Sequence, residues 1–522
     1  MKANRIQIIA LLGIAAMGMA ACQNKPAPTS EPSSDIPASS ESQPSSQTST
    51  PSSSSEDTKP SGTVKVVFWH TFGQKVVDTL ERYCASFEKL VKDNEGIDVD
   101  VELAYQGGYD DMVKKVSLGW QSSASPTIAV AYPDHVAEYL YMEDQENKPG
   151  KYVVNMQNFI DDPKLGFGTE RYLGDTEDEE DFIQAFYNEG YNFARDEGYY
   201  LMPYMKSSEI MLYNLDKITK TYQLMRNDDS LSPQQVKRIM STITWDELIE
   251  LATYAYEHKA DISNAIDYPI FYDADDNLFI SKMYQNEIPF ASIGSNGKGS
   301  IDFETGEPRR RAEALVKSFK DLHDDHIFTT KGAQGEYAST AFKDESCLIA
   351  IGSSGGAGYS FPAVGSFNAA VAKVPASNSN PLYVSQGPSL TMLNRPELSA
   401  SENALAVKYG WKFLKYITST KVNIALCVTG SEGYVPVRHS CYTTEEYSEF
   451  LEEGELYAET AQVLNNDIGG NYLITPAFKG SAALRAQFKA VIGTILKGTT
   501  SITITDAFDS AFGEVRKAMP EE

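Results

Sequence analysis

The clearest pattern of hydrophobic and polar positions lies between residues 64 and 140. Val64, Val66, Val67 and Phe68 form a short β-branched and aromatic run, which suits a strand buried on both faces of a parallel sheet. From there the apolar positions fall at Val76, Val77, Leu80, Cys84, Phe87, Leu90 and Val91, a three-and-four spacing that predicts a helix with one buried face. Ile97, Val99, Val101 and Leu103 alternate with polar residues as a second strand. Gln106-Gly107-Gly108-Tyr109 then turns into a helix carrying Met112, Val113 and Val116, and 128–131 reads as a third strand with a helix behind it.

A strand-helix-strand series of this kind requires right-handed crossovers and a parallel sheet. Ligands of such sheets sit beyond the carboxyl ends of the strands. Three polar or aromatic clusters fall at those ends, so Trp69, His70, Tyr109, Tyr132 and Asp134 are candidate ligand residues, against plain packing roles for Trp69 and Tyr132.

Further along, 209–213 reads as a strand. Thr244 and Glu247 form a capping box that starts a helix, and 404–417 is amphipathic. A strand over 348–351 runs into Gly352-Ser353-Ser354-Gly355-Gly356, where backbone approaches a ligand closely. No Lys follows in the phosphate-loop pattern, so Ser353 and Ser354 suit a neutral polyol better than a phosphate. The acidic run 175–181 is expected to be an exposed helix start, and 273–279 a turn. Neither has the ligand spacing and glycine of a calcium loop. His323 and His326 read as a polar helix end, and no metal or cofactor is expected.

The chain of 522 residues is too long for one core. Its net charge of −27 would repel phosphate backbones, so nucleic acid is excluded as a partner. Lys2 and Arg5 precede a short apolar run, 8–19, that fits an export signal rather than a membrane span. It ends in small residues directly before Cys22, a pattern that resembles the lipobox of bacterial lipoproteins, with Met19 where Leu is preferred. Residues 23–62 are rich in Ser, Pro and Thr and read as a disordered tether with a reach of roughly 35 Å. Of the remaining cysteines, Cys84 and Cys347 read as buried thiols, while Cys427 and Cys441 are candidates for a bridge around the 433–438 turn.

FWHTFG, GGYDD and PTIAVAY resemble the first lobe of the carbohydrate-type solute-binding proteins of ABC importers, the group containing the maltodextrin- and glycerol-3-phosphate-binding proteins. LMPYMKSSEIMLYNLD, TWDELIELA, AFKDESCLIAIGSSGG, SQGPSLTML and GYVPVR resemble its later segments, in the family's order. The resemblance implies an α/β, two-lobed periplasmic-binding-protein-like fold, each lobe a mainly parallel sheet flanked by helices. The first lobe is then 63–205 with 388–432 returning to it, and the second 206–387 with 433–522 returning, behind a signal peptide over 1–22. It also implies ligand contacts at Ser207 and Tyr434, and a return crossing at Gly387. The family's phosphate-holding Arg has no match. Arg485 lies further on and Lys479 is a weak substitute.

The implied function is a lipid-anchored extracellular binding protein, monomeric and not an enzyme, that captures a sugar or oligosaccharide by hinge closure and hands it to ABC permease subunits. Trp69, Tyr109, Tyr132, Tyr359 and Tyr434 would offer aromatic faces to the sugar. The alternatives are a glycerol-3-phosphate or glycerophosphodiester binder of the same class and an exported polysaccharide hydrolase. For the hydrolase there is no GxSxG or HExxH motif.

Overall fold

The structure, a computed structural model, describes residues 62–520 apart from 123, 192, 194–197, 295–297, 377–380 and 431–432. The expected signal peptide, the Cys22 lipidation site and all but the last residue of the tether lie outside the described residues.

In chain order, the opening unit is β1 (Val64–His70), α1 (Gln74–Glu95), β2 (Val99–Tyr105), α2 (Tyr109–Ser122), β3 (Ile128–Ala131) and α3 (Pro133–Gln145). It follows from the spacing of its apolar positions: the buried face of α1 is Val76, Leu80, Cys84, Phe87 and Val91. Gly96 ends this helix in the left-handed conformation, its N–H returning to the Lys92 carbonyl. The later strands are β4 (Met202–Pro203), β5 (Glu209–Asn214), β6 (Ile270–Tyr272), β7 (Ala291–Ile293), β8 (Gly299–Ile301), β9 (Phe328–Thr330), β10 (Ile349–Ser353), β11 (Ala369–Lys373), β12 (Tyr383–Val384), β13 (Ser389–Met392) and β14 (Tyr472–Leu473).

Two five-stranded sheets organise the body, in the orders β2-β1-β3-β13-β4 and β11-β5-β10-β6-β9. Both are mixed. β1 pairs parallel with β2 and β3, whereas β13 runs antiparallel to β3 and β4. In the second sheet β6 pairs parallel with β9 and β10, whereas β5 runs antiparallel to β10 and β11. Helices cover each sheet, and the buried apolar side chains form two large separate clusters, one per sheet, with a smaller third on the second. The fold is thus α/β with two lobes.

Three expectations are corrected here. The acidic run is not simply an exposed helix start. Only Asp178 caps a short 3-10 turn, while Asp175 is buried and accepts from Lys415 at 2.8 Å. Residues 273–279 are not a turn but the entry to a helix, Asp275–Gln285. Asp275 is buried there, accepting from the Thr330 hydroxyl at 2.5 Å and the Gly332 amide at 3.0 Å. The Cys427–Cys441 bridge is absent; Cys84, Cys347, Cys427 and Cys441 are all buried free thiols.

Candidate functional site

Three strips of chain lie side by side between the sheets. Lys206 and Val435 exchange backbone hydrogen bonds at 3.1 and 2.7 Å, and Ser207 and Gln386 do so at 3.0 and 2.9 Å. Gly387 is needed at this crossing: it has φ +90°, and a Cβ there would meet the Met205 carbonyl at 2.4 Å. The middle strip is anchored by a buried ion pair, Lys206 Nζ to Glu189 Oε2 at 2.7 Å.

Above the crossing is a cavity of about 290 Å³ with walls from both lobes. The first lobe contributes Tyr109, Tyr132, Asp134 and His135, which sit where β2 and β3 give way to α2 and α3. Tyr109 and Tyr132 pack with ring centroids 4.4 Å apart, and burial raises the pKa of both. Asp134 lies in the first turn of α3, its carboxylate taking the His135 N–H at 3.1 Å.

The second lobe contributes Asp276, Asn277 and Phe290, with Arg485 and Lys489 from the helix Ser481–Lys497. Arg485 Nη2 donates to Asn277 Oδ1 at 2.7 Å and to Asp276 Oδ2 at 3.2 Å. Burial works against its charge, but Asp276 and then Asp134 outweigh that and leave its pKa raised. Behind this group lies Glu209, which accepts from the Tyr272 hydroxyl; burial pushes its carboxyl up to about 8. Glu189 and Gln386 form the wall at the crossing.

A second cavity of about 580 Å³ opens at the carboxyl ends of β6, β9 and β10 and shares Lys489 with the first. Asp273, Lys331 and Ser353 line it, along with Tyr337 and Tyr359, which are 57% and 70% exposed. Asp273 accepts the Ala338 N–H at 2.7 Å, and burial raises its carboxyl to about 6.

The structure therefore brings together Tyr109, Tyr132 and Asp134 in one cavity and places Ser353 in the neighbouring one. Tyr434 stands against Gly355 near Tyr132. Ser207 and Ser354 are buried in backbone pairing instead, with the Ser354 N–H on the Ser208 carbonyl at 2.8 Å. Trp69 and His70 line neither cavity. Trp69 packs towards Gly119 on α2. His70 is buried, stacked on Phe72 at 5.4 Å, and desolvation lowers its pKa to about 4. Asp276, Asn277, Gln386 and Arg485 were not selected from the sequence. Arg485 carried a signal there, as an arginine lying beyond the place where the family holds its phosphate. Lys479 is held by Glu138 of α3 rather than offered to a ligand.

Against known proteins, residues 82–451 match the family model described as bacterial extracellular solute-binding protein. The chain belongs to that family. A search of curated proteins found no match. Among solved structures it is similar to the GacH receptor of Streptomyces glaucescens, studied unliganded and with acarbose, at 18% identity and a TM-score of 0.61, covering 87% of this chain and 98% of that one. The cyclic alpha-maltosyl-1,6-maltose binding protein of Arthrobacter globiformis matches at 17% identity and a TM-score of 0.60, over 88% and 99% of the two chains. UgpB of Mycobacterium tuberculosis, in complex with glycerophosphocholine, matches at 14% identity and a TM-score of 0.60, over 88% and 99%. These likenesses share the two-lobed fold.

Proposed function

We propose that this protein is the solute-binding component of an ABC importer and captures an uncharged oligosaccharide between its lobes without transforming it. The carrying observation is the cavity walled by both lobes, with the Tyr109–Tyr132 pair on one side and Asp276, Asn277 and Arg485 on the other. Aromatic faces suit the C–H surfaces of a sugar and fixed polar groups suit its hydroxyls. The adjoining cavity with exposed Tyr337 and Tyr359 supports a guest longer than one sugar unit.

The polar groups bear on whether the guest is charged. A phosphodiester needs an open guanidinium fork or a free ammonium. Here Asp276 and Asn277 engage Arg485 through one nitrogen and Glu138 engages Lys479, while Lys489 also lines the cavity, so it is the aromatic faces and not a lack of cationic groups that favour a neutral guest. Ligand contacts made by both lobes exist only when the lobes are closed, so binding shifts the hinge equilibrium. In this reading Cys22 carries lipid, the 23–62 segment tethers a monomer to the outer face of the cell membrane, and the closed form docks on permease subunits.

Thermal unfolding and calorimetry of the purified protein with linear and cyclic malto-oligosaccharides, and with glycerophosphocholine, test this. A Tm rise with the oligosaccharides, which are recovered intact, is expected. A rise with the phosphodiester alone, or cleavage of the sugar, would overturn it.

A further inference from the structure

The contact between α3 and the start of the helix Ser481–Lys497 joins side chains of the two lobes beside the cavity. Glu138, on the second turn of α3, pairs with the Lys479 ammonium and accepts the Gly480 N–H at 3.2 Å. The Lys479 ammonium also lies 5.1 Å from the ring centroid of Tyr141, one turn further along α3. Phe478, next in the chain, is buried in the second lobe's core, whereas α3 packs Val136, Tyr139 and Leu140 into the first lobe's core.

Each of the two helices also lines the cavity. α3 places Asp134 and His135 there from its first turn, and the other helix places Ser481 and Arg485. The clamp therefore fixes the spacing between Asp134 and Arg485, whose charges already interact. All its groups belong to the protein, so it acts with or without a guest.

We propose that Glu138, gripping Lys479 and the Gly480 amide, is a positioning latch that favours lobe closure before any ligand arrives and aligns the two walls of the cavity. Its role in affinity rests on the binding function proposed above; its effect on the empty protein does not. Apparent affinity scales with the fraction of molecules in the binding-competent form, so loosening the latch weakens binding without removing a ligand contact.

The test is a distance distribution between spin labels, one on each lobe, in the unliganded protein. Glu138→Gln and Lys479→Ala are expected to move population from the short to the long distance. The charge swap Glu138→Lys with Lys479→Glu should restore the short one in part, because a lysine at 138 re-forms the ion pair but cannot accept the Gly480 N–H. High salt should act like the single variants, because the pair is partly exposed. With malto-oligosaccharide as probe, the single variants should bind about three- to tenfold more weakly. Unchanged distances in both single variants, or a swap no more closed than the single variants, would overturn the latch. If sugar does not bind but the distances shift as stated, the latch stands and the oligosaccharide assignment fails. Circular dichroism identifies any variant that fails to fold, and Lys479→Arg, which keeps the charge, should retain closure.

Discussion

Lys206 and Glu189 are joined at 2.7 Å where the chain crosses between the lobes, and their side chains are 1% and 4% exposed. Removing one partner strands a charge away from water, whereas removing both does not. Lys206→Met is expected to cost about 3–5 kcal/mol in denaturant unfolding, and adding Glu189→Leu should recover most of it. A single variant as stable as the parent would contradict this.

Arg485 reaches Asn277 Oδ1 and Asp276 Oδ2 from one guanidinium nitrogen. A lysine supplies charge but not the planar fork. Arg485→Lys is expected to lower oligosaccharide affinity about tenfold, roughly 1.4 kcal/mol, with little change in Tm. Calorimetry checks the first part and a melting curve the second.

Trp69 and Tyr132 should separate cleanly. Trp69 packs towards α2, so Trp69→Ala is expected to destabilise the fold by about 2–4 kcal/mol and leave the affinity of the remaining folded protein intact. Tyr132 lines the cavity, so Tyr132→Ala should cost about 1–2 kcal/mol of binding and less stability. Titrations paired with denaturant curves on both variants decide the assignment.

Glu209 gives a pH dependence of known sign. Burial raises its folded value from 4.5 to about 8, so the folded state holds a proton that the unfolded chain releases. Its contribution to stability is full below about pH 4.5 and is lost as pH rises through about 8. Glu209→Gln should flatten the fall in Tm across that window. A parallel fall in both proteins would refute the assignment.

Gly387→Ala should destabilise by about 1–3 kcal/mol, because both the positive φ and the Met205 carbonyl oppose a Cβ. Hydrogen exchange at Ser207 and Gln386 would report the loosened crossing.

The opening unit was legible in the sequence because its order is local. The third strand falls at Ile128–Ala131 as its apolar run indicates, and Thr244 caps its helix through Glu247, three residues away. What escaped depends on partners far along the chain. Asp175 reads as solvated until Lys415, 240 positions later, buries it. Arg485 reads as misplaced until Asp276 and Asn277, 209 and 208 positions earlier, are folded beside it. His70 sits at the end of β1, as the pattern requires, but that edge is overlain by Phe72. Periodicity places an element's end without saying what covers it.

β13 lies between β3 and β4, although it follows β4 by nearly the whole length of the second lobe. A chain that becomes available from its N-terminal end onwards therefore cannot finish its first sheet until residues 389–392 have followed. Until then the antiparallel edge of β3 stays open to any strand that meets it, so premature release or truncation ahead of this point would yield an aggregation-prone fragment rather than a half-sized binder.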